Sequence, residues 1–340
     1  MFNSSEKFEK YLLIGSIPYG DRPDTIGGAT VLFNEFLDFL NSKDIKFDLI
    51  VANKFKNKYI SLIYIFKSLF ELRHKNKIVL LNVSRNGLTL LYPLVFIFCK
   101  FFSMKIVLRV FGSHALDVIQ ISKIKTLLLY IIKRTELILV ETKFLVEEFS
   151  KINKNVIWFP NNRKSNKSKN KSEFKKRFVF LGHIKKEKGI LDLIEVFKLL
   201  DDDYHFSFYG SIEKELLFLA KHPNYEGLIS SDKVFDILRI NDVLVLPTYY
   251  DGEGYPGVII EAYMLGLPVI STNWRSIPEI VENYKTGILI EPKNREDLKN
   301  SILYFNDLNY PNFRVNVGIK AKDFDSTIIH QRIFETISRI

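Results

Sequence analysis

The chain contains one cysteine, Cys99, in 340 residues. A lone cysteine excludes a disulfide framework and any zinc site built on cysteines. Long hydrophobic runs are missing too. The longest apolar stretch, Leu88–Cys99, is interrupted by Pro93 and falls short of the about 20 residues a membrane-spanning helix needs; a buried helix is expected there. The run Tyr11–Ile17 is shorter still, and the residues before it are polar and mixed in charge, so neither a secretion signal nor a span is expected. The reading is a cytoplasmic protein. Disorder is excluded as well, because 47% hydrophobic and 26% charged residues is an ordinary globular composition. At roughly 150 residues per domain, the length makes about two domains.

Acidic residues are scarce in one half only. Residues 1–161 carry 23 Lys/Arg against 14 Asp/Glu (+9), residues 162–177 carry 8 against 1 (+7), and residues 178–340 carry 18 against 24 (−6). A net acidic half beside a basic one is not the pattern of a uniform nucleic-acid binder. The segment Asn161–Lys176, rich in Asn, Ser and Lys, has no aromatic residue until Phe174 and offers no base-stacking platform. No nucleic-acid partner is expected. The segment is expected to be a solvated linker, leaving the basic half free to approach something anionic.

On both sides of that segment, short buried strands alternate with helices. Tyr11–Ser16 leads through Gly27-Gly28 into Ala29–Leu40, whose apolar residues recur at helical spacing. Asp48–Ala52, Ile78–Val83, Ile106–Val110 and Leu137–Glu141 read as further strands. Beyond the linker, Phe178–Gly182 and His205–Gly210 flank the helix Gly189–Leu200, and Asp242–Pro247 and Leu267–Ser271 flank the helix Val258–Leu265. The pattern predicts two parallel-sheet α/β domains.

Ligands of such sheets bind beyond the carboxyl ends of the strands, and three strand ends carry unusual residues. Gly27-Gly28 precede a helix, where a backbone can approach a phosphate closely; a plain turn explains them equally well. His183, Lys185, Lys186 and Lys188 crowd a helix start that disfavours positive charge. Either an anion relieves that conflict or the cluster is simply solvated. The third segment, Pro247–Ala262, places Glu253 in a loop and Glu261 inside an otherwise apolar helix opened by Pro256-Gly257. A carboxylate on a buried helix costs several kcal/mol unless it is hydrogen-bonded, and sugar hydroxyls are suitable donors.

The run E-G-Y-P-G-V-I-I-E-A-Y-M-L-G-L-P-V-I-S-T, with Glu253 and Glu261 separated by seven residues, resembles the signature of retaining nucleotide-sugar glycosyltransferases of family 4 (glycosyl transferases group 1). F-L-G-H-I-K-K-E-K-G and N-D-V-L-V-L-P-T resemble the same family's preceding strands and loops. Gly27-Gly28 match its N-terminal Gly-Gly loop, and V-F-G-S-H at Val110–His114 matches the place where many members carry a histidine.

The resemblance implies a GT-B fold of two Rossmann-like domains facing a cleft. The acceptor-binding domain would span 1–161, the basic linker 162–177 and the nucleotide-sugar domain 178–325, with a C-terminal helix at 326–340 crossing back. It implies transfer of a sugar from a UDP- or GDP-sugar to a saccharide or lipid-linked saccharide, for lipopolysaccharide, capsule or exopolysaccharide, with retention at the anomeric carbon and no metal or other cofactor. Glu261 would hold the ribose hydroxyls and Glu253 the donor sugar. Lys188, with the amides of Gly257 and Val258, would neutralise the diphosphate, helped by Gly28 and by the loop Gly254-Tyr255-Pro256. His114 would face donor and acceptor. His183 stands where the family usually has Arg and brings no fixed charge. Asp201-Asp202-Asp203 follows a helix rather than a strand and reads as a solvated turn. His74, His205, His222 and His330 lack metal-ligand spacing.

Two other readings stand beside this one: a nucleotide-sugar epimerase of the same fold, and a non-catalytic basic protein that binds a membrane or nucleic acid. Ser61–Lys77 and Ile121–Arg134 mix apolar and basic residues, so either could lie on the inner face of an anionic membrane or form a core helix with a basic outer face.

Overall fold

The computed structural model describes residues 10–19, 28–165 and 173–340. They form two compact units, one of residues 1–160 with 330–340 and one of residues 161–329.

Unit 1 runs β1 (Tyr11–Gly15), α1 (Gly28–Ser42), β2 (Phe47–Val51), α2 (Lys58–Leu72), β3 (Ile78–Val83), α3 (Arg85–Phe101) and β4 (Lys105–Val110). It continues through α4 (Ala115–Ile121), α5 (Lys125–Lys133), β5 (Leu137–Val140), α6 (Lys143–Ser150) and β6 (Val156–Trp158). The strands pair in parallel in the order β2-β1-β3-β4-β5-β6. β3 (IVLLNV) and β5 (LILV) are buried at every position, as continuous apolar strands must be when helices cover both faces of a parallel sheet. One core joins that sheet to α2–α6 through Ile65, Leu88, Val95, Leu128, Ile132 and Phe149. On the opposite face, Phe36 and Phe39 of α1 meet Phe159 and His330. His330 is thus a buried member of an aromatic cluster.

Unit 2 contains β7 (Arg177–Leu181), α7 (Ile190–Phe197), β8 (His205–Tyr209), α8 (Val234–Ile240) and β9 (Val243–Leu246). After these come α9 (Gly257–Met264), β10 (Val269–Thr272), β11 (Gly287–Ile290), α10 (Arg295–Tyr304) and α11 (Tyr310–Lys320). A last helix, α12 (Ser326–Ser338), contributes its residues from His330 onward to unit 1. The sheet order is β11-β10-β9-β7-β8, all parallel. The chain leaves β7 toward β8 and returns on the other side as β9, so the order reverses between β7 and β9. That reversal is the topological switch point where open α/β sheets bind ligands.

The linker expected over 162–177 is corrected at both described ends. Asn161 and Asn162 are buried. The Arg163 N–H donates to the Phe324 carbonyl, and the Ser326 N–H donates to the Arg163 carbonyl, so unit 2 already begins at Asn161. Phe174 is buried against Phe178 and Tyr310, and Arg177 opens β7. Polar composition misled here because the asparagines and Arg163 are spent on internal hydrogen bonds rather than on water.

Candidate active site at the switch point of unit 2

The loops that leave β7 and β9 carry the charged residues. After β7, the chain turns at Gly182 and makes one 3-10 turn, Lys186–Lys188. It then enters α7 through Gly189, whose φ is 76°. A Cβ on Gly189 would lie 2.2 Å from the Pro247 carbonyl oxygen, so only glycine lets this turn pack on the end of β9. The Tyr249 N–H donates to the Glu187 carbonyl at 2.7 Å. The two loops are therefore tied together by main chain.

That closeness brings Lys188 onto Glu253. The Lys188 ammonium donates to Glu253 Oε2 at 2.5 Å, and the Thr248 hydroxyl donates to the same oxygen at 2.8 Å. The two charged side chains are only 16% and 8% exposed. The ring of Tyr250 lies 5.2 Å below the ammonium. Eight residues further on, Glu261 in α9 accepts from Arg163 Nε at 2.7 Å. Arg163 also donates through Nη1 to Asn161 Oδ1 and to the Asn162 carbonyl, at 2.6 and 2.8 Å. Asn161 Nδ2 in turn donates to the Tyr255 carbonyl at 3.1 Å. Arg163 is the residue that sequence reading missed. It sits in a Lys/Asn-rich run, and only the apolar strand-like residues before it, Val156–Pro160, hinted that the chain was still in the fold.

α9 itself is apolar on nearly every side, with Ile259, Ile260, Ala262, Tyr263 and Met264 buried. The Glu261 carboxylate it carries is paired with a protein cation, Arg163. Gly257, its first residue, lies against the guanidinium, since a Cβ there would come within 2.5 Å of Arg163 Nη2 and displace it. Pro256 precedes it as the cap. Tyr255 corrects the expectation that the whole loop faces a ligand. Its ring is buried against Phe324 and its hydroxyl donates to Glu279 at 2.5 Å. Gly254 is in the bend between Glu253 and Tyr255.

A pocket of about 250 Å³ opens beside α9, lined by Gly182, His183, Gly210, Ser211, Val258 and Glu261 among others. Its floor exists because β7 and β8 run in register to Leu181↔Tyr209, which sets Gly182 and Gly210 side by side. Both have φ values outside the usual range of other residues, 151° and 140°. A Cβ on Gly210 would fall 1.8 Å from the Gly182 carbonyl oxygen. His183 Nδ1 is 3.2 Å from the Ser211 hydroxyl. Partial burial first, then the Lys185 charge, lowers the His183 pKa, so the imidazole is neutral near pH 7. Lys185 itself pairs with Glu213 at 3.3 Å.

Three site candidates, Gly27, Gly28 and His114, come from the first 160 residues. Gly27 lies outside the described residues. Gly28 is the first residue of α1, and a Cβ there would meet nothing within 4 Å. His114 follows β4 and holds Asp117 Oδ2 at 2.9 Å. The loop before it is fixed by the Gly112 N–H, which donates to Glu141 Oε2 at 3.1 Å. Asp201, Asp202 and Asp203 form an exposed turn, with Asp203 paired to Lys176.

Residues 161–324 match the model of a family described as glycosyl transferases group 1. Unit 2 is a glycosyl transferases group 1 domain. Over 124 residues the chain is 32% identical to a putative teichuronic acid biosynthesis glycosyltransferase, TuaC, of Bacillus subtilis (strain 168). The match covers 36% of this chain and 31% of that protein. Over 161 residues it is 27% identical to the N,N'-diacetylbacillosaminyl-diphospho-undecaprenol alpha-1,3-N-acetylgalactosaminyltransferase of Campylobacter jejuni, covering 45% of this chain and 42% of that one. The chain thus spans about a third to two-fifths of the curated relatives it matches. The crystal structure of Anabaena Alr3699/HepE in complex with UDP aligns over 97% of this chain and 100% of its own, with a TM-score of 0.74 at 15% identity. The same protein solved with UDP-glucose gives a TM-score of 0.71. The fold class is GT-B, and the group 1 domain carries the paired glutamates of the site.

Proposed function

We propose that the chain is a retaining glycosyltransferase of bacterial surface-polysaccharide synthesis. It takes a UDP- or GDP-sugar as donor and a saccharide or lipid-linked saccharide as acceptor. One observation carries this reading: at the switch point each glutamate of the pair is matched to a cation from another segment, Glu253 to Lys188 and Glu261 to Arg163. A nucleoside diphosphate sugar complements both halves at once. Its diphosphate is an anion for Lys188, Arg163 and the first amides of α9, and its ribose and sugar hydroxyls are donors for the two carboxylates. Neutral His183 donates one hydrogen bond there and adds no charge. The likeness to a UDP-binding structure and to polysaccharide glycosyltransferases supports the same reading.

In this mechanism the acceptor hydroxyl attacks the anomeric carbon on the face the diphosphate leaves. The new C–O bond forms as the bond to the phosphate oxygen breaks, and the acceptor's proton passes to that departing oxygen. The chain then supplies no nucleophile. Lys188 and the α9 amides hold the charge that develops on the leaving group, which is where electrostatic stabilisation is most effective. Glu253 fixes the sugar, and His114 is assigned to the donor–acceptor side. No step calls for a metal ion.

The test is transfer from an anomerically defined UDP- or GDP-sugar, followed by NMR of the product. The expected product keeps the donor's anomeric configuration and forms with EDTA present. An inverted product, or dependence on added Mg²⁺ or Mn²⁺, would refute the mechanism; no reaction with any nucleotide sugar would refute the activity.

A further inference from the structure

The outer face of α2 and α3 in unit 1 is apolar where a water-facing helix pair should be polar. In α3 the exposed positions Leu90, Leu94, Ile97 and Phe101 recur at 4-3-4 spacing, which is one stripe along a helix. Phe101 is 80% exposed. Between Arg85 and Lys100 that helix has no charged residue. In α2, Tyr59, Ile63 and Phe70 are exposed along a stripe that also holds the exposed Lys67. The two helices lie side by side, since Phe66 meets Phe98 and Phe70 meets Phe102 at ring distances of 6.4 and 6.1 Å. The stripes therefore merge into one patch, and nothing among the described residues of unit 1 covers it. Soluble monomers rarely leave such a patch without a partner.

The charges around the patch select that partner. Residues 54–77 contain seven Lys/Arg and one acid, Glu71. Several of the cations sit on aromatic rings at the patch: Lys54 is 4.4 Å from the Tyr64 centroid, and Arg73 is 3.7 Å from that of Phe70. Lys100 marks the end of α3. An apolar strip edged by long basic side chains with aromatic rings between them suits the boundary between acyl chains and anionic headgroups. A second copy of the chain would set the same excess of cations face to face. No helix among the described residues is long and apolar enough to cross a membrane, so the surface would rest on the bilayer rather than span it.

We infer that the α2–α3 face docks unit 1 on an anionic lipid bilayer. This involves no residue of the unit 2 site and stands independently of the donor. It is tested by flotation of the full chain with vesicles of neutral phosphatidylcholine, with and without phosphatidylglycerol, across a salt series. Wild type should float with the anionic vesicles, stay behind with the neutral ones, and detach as salt rises. Leu94→Gln/Ile97→Gln/Phe101→Gln should bind about tenfold or more weakly, as should Lys54→Gln/Lys56→Gln/Lys58→Gln. The single variant Phe101→Ser, at the most exposed position, guards against misfolding of the triple variant, and an unchanged melting curve confirms that each variant is folded. Equal binding to both vesicle types, no binding, or variants that float like wild type would overturn the inference. So would a concentration-dependent dimer that the apolar variant abolishes, because the face would then belong to a second copy.

Discussion

Replacing Lys188 by Met removes an ammonium but keeps most of the aliphatic stem. The structure places that ammonium 2.5 Å from a carboxylate whose side chain is 8% exposed. Without it, the Glu253 carboxylate keeps the Thr248 hydroxyl, one neutral donor for a buried charge. Removing one partner of a buried pair typically costs about 3–5 kcal/mol, far more than the 0–1 kcal/mol of an exposed pair. For a unit of this size, each kcal/mol shifts the melting midpoint by about 2–4 °C, so a fall of about 6–20 °C is expected. The double variant Lys188→Met/Glu253→Gln should recover most of that loss, since a neutral amide replaces the stranded charge. The assay is urea and thermal unfolding followed by Trp274 fluorescence in a Trp158→Phe background, which reports on unit 2 alone and avoids treating two units as one transition. A single-variant cost below about 1 kcal/mol, or a double variant no more stable than the single, would refute the claim that this pair is desolvated.

Three further outcomes follow from the same geometry. Gly210→Ala puts a Cβ into the Gly182 carbonyl at a φ of 140°; it should destabilise unit 2 by about 1–3 kcal/mol and abolish UDP binding, read by melting curves with and without nucleotide. The lowered pKa of His183 means that it gains its proton only as pH falls below the ordinary histidine value. An anion then binds the protonated form better, so the ratio of wild-type to His183→Gln affinity for UDP should rise from pH 7.5 to pH 5.5; a flat ratio in calorimetry would show that His183 does not meet the diphosphate. Cys99 is fully buried, and burial pushes its thiol pKa up to about 12. It should therefore resist a thiol reagent at pH 8 in the native protein and react promptly in urea; rapid native labelling would contradict the packing of α3.

Much of this was written into the residues, and unevenly. The strands Ile78–Val83 and Leu137–Val140 announced themselves because parallel strands are apolar at every position. Glu253 and Glu261 stood out because carboxylates beside Pro-Gly and inside an apolar helix conflict with their surroundings. β6 and β11 (VIW and GILI) were too short to separate from loop. The strand order that creates the switch point between β7 and β9 is a matter of long-range pairing, which no local pattern encodes. Arg163 and Asn161 were hidden for the same reason. Their polarity is satisfied by groups about a hundred residues away, Glu261 and Tyr255, so in sequence they looked like a solvated linker. Tyr255 erred in the other direction: the motif marks the loop, but packing on Phe324 turns the ring into the core.

The most direct measurement of the central claim is a titration of wild type, Glu261→Gln and Arg163→Gln with UDP, GDP, ADP and CMP, followed by unit 2 melting with and without Mg²⁺. Ligand at about 100 times Kd stabilises by roughly 2.7 kcal/mol. One diphosphate should raise the wild-type midpoint with or without metal, and the rise should vanish in both variants, each judged against its own unliganded curve. Wild type unmoved by all four nucleotides, or a shift that survives both substitutions, would contradict a donor site at the switch point of unit 2.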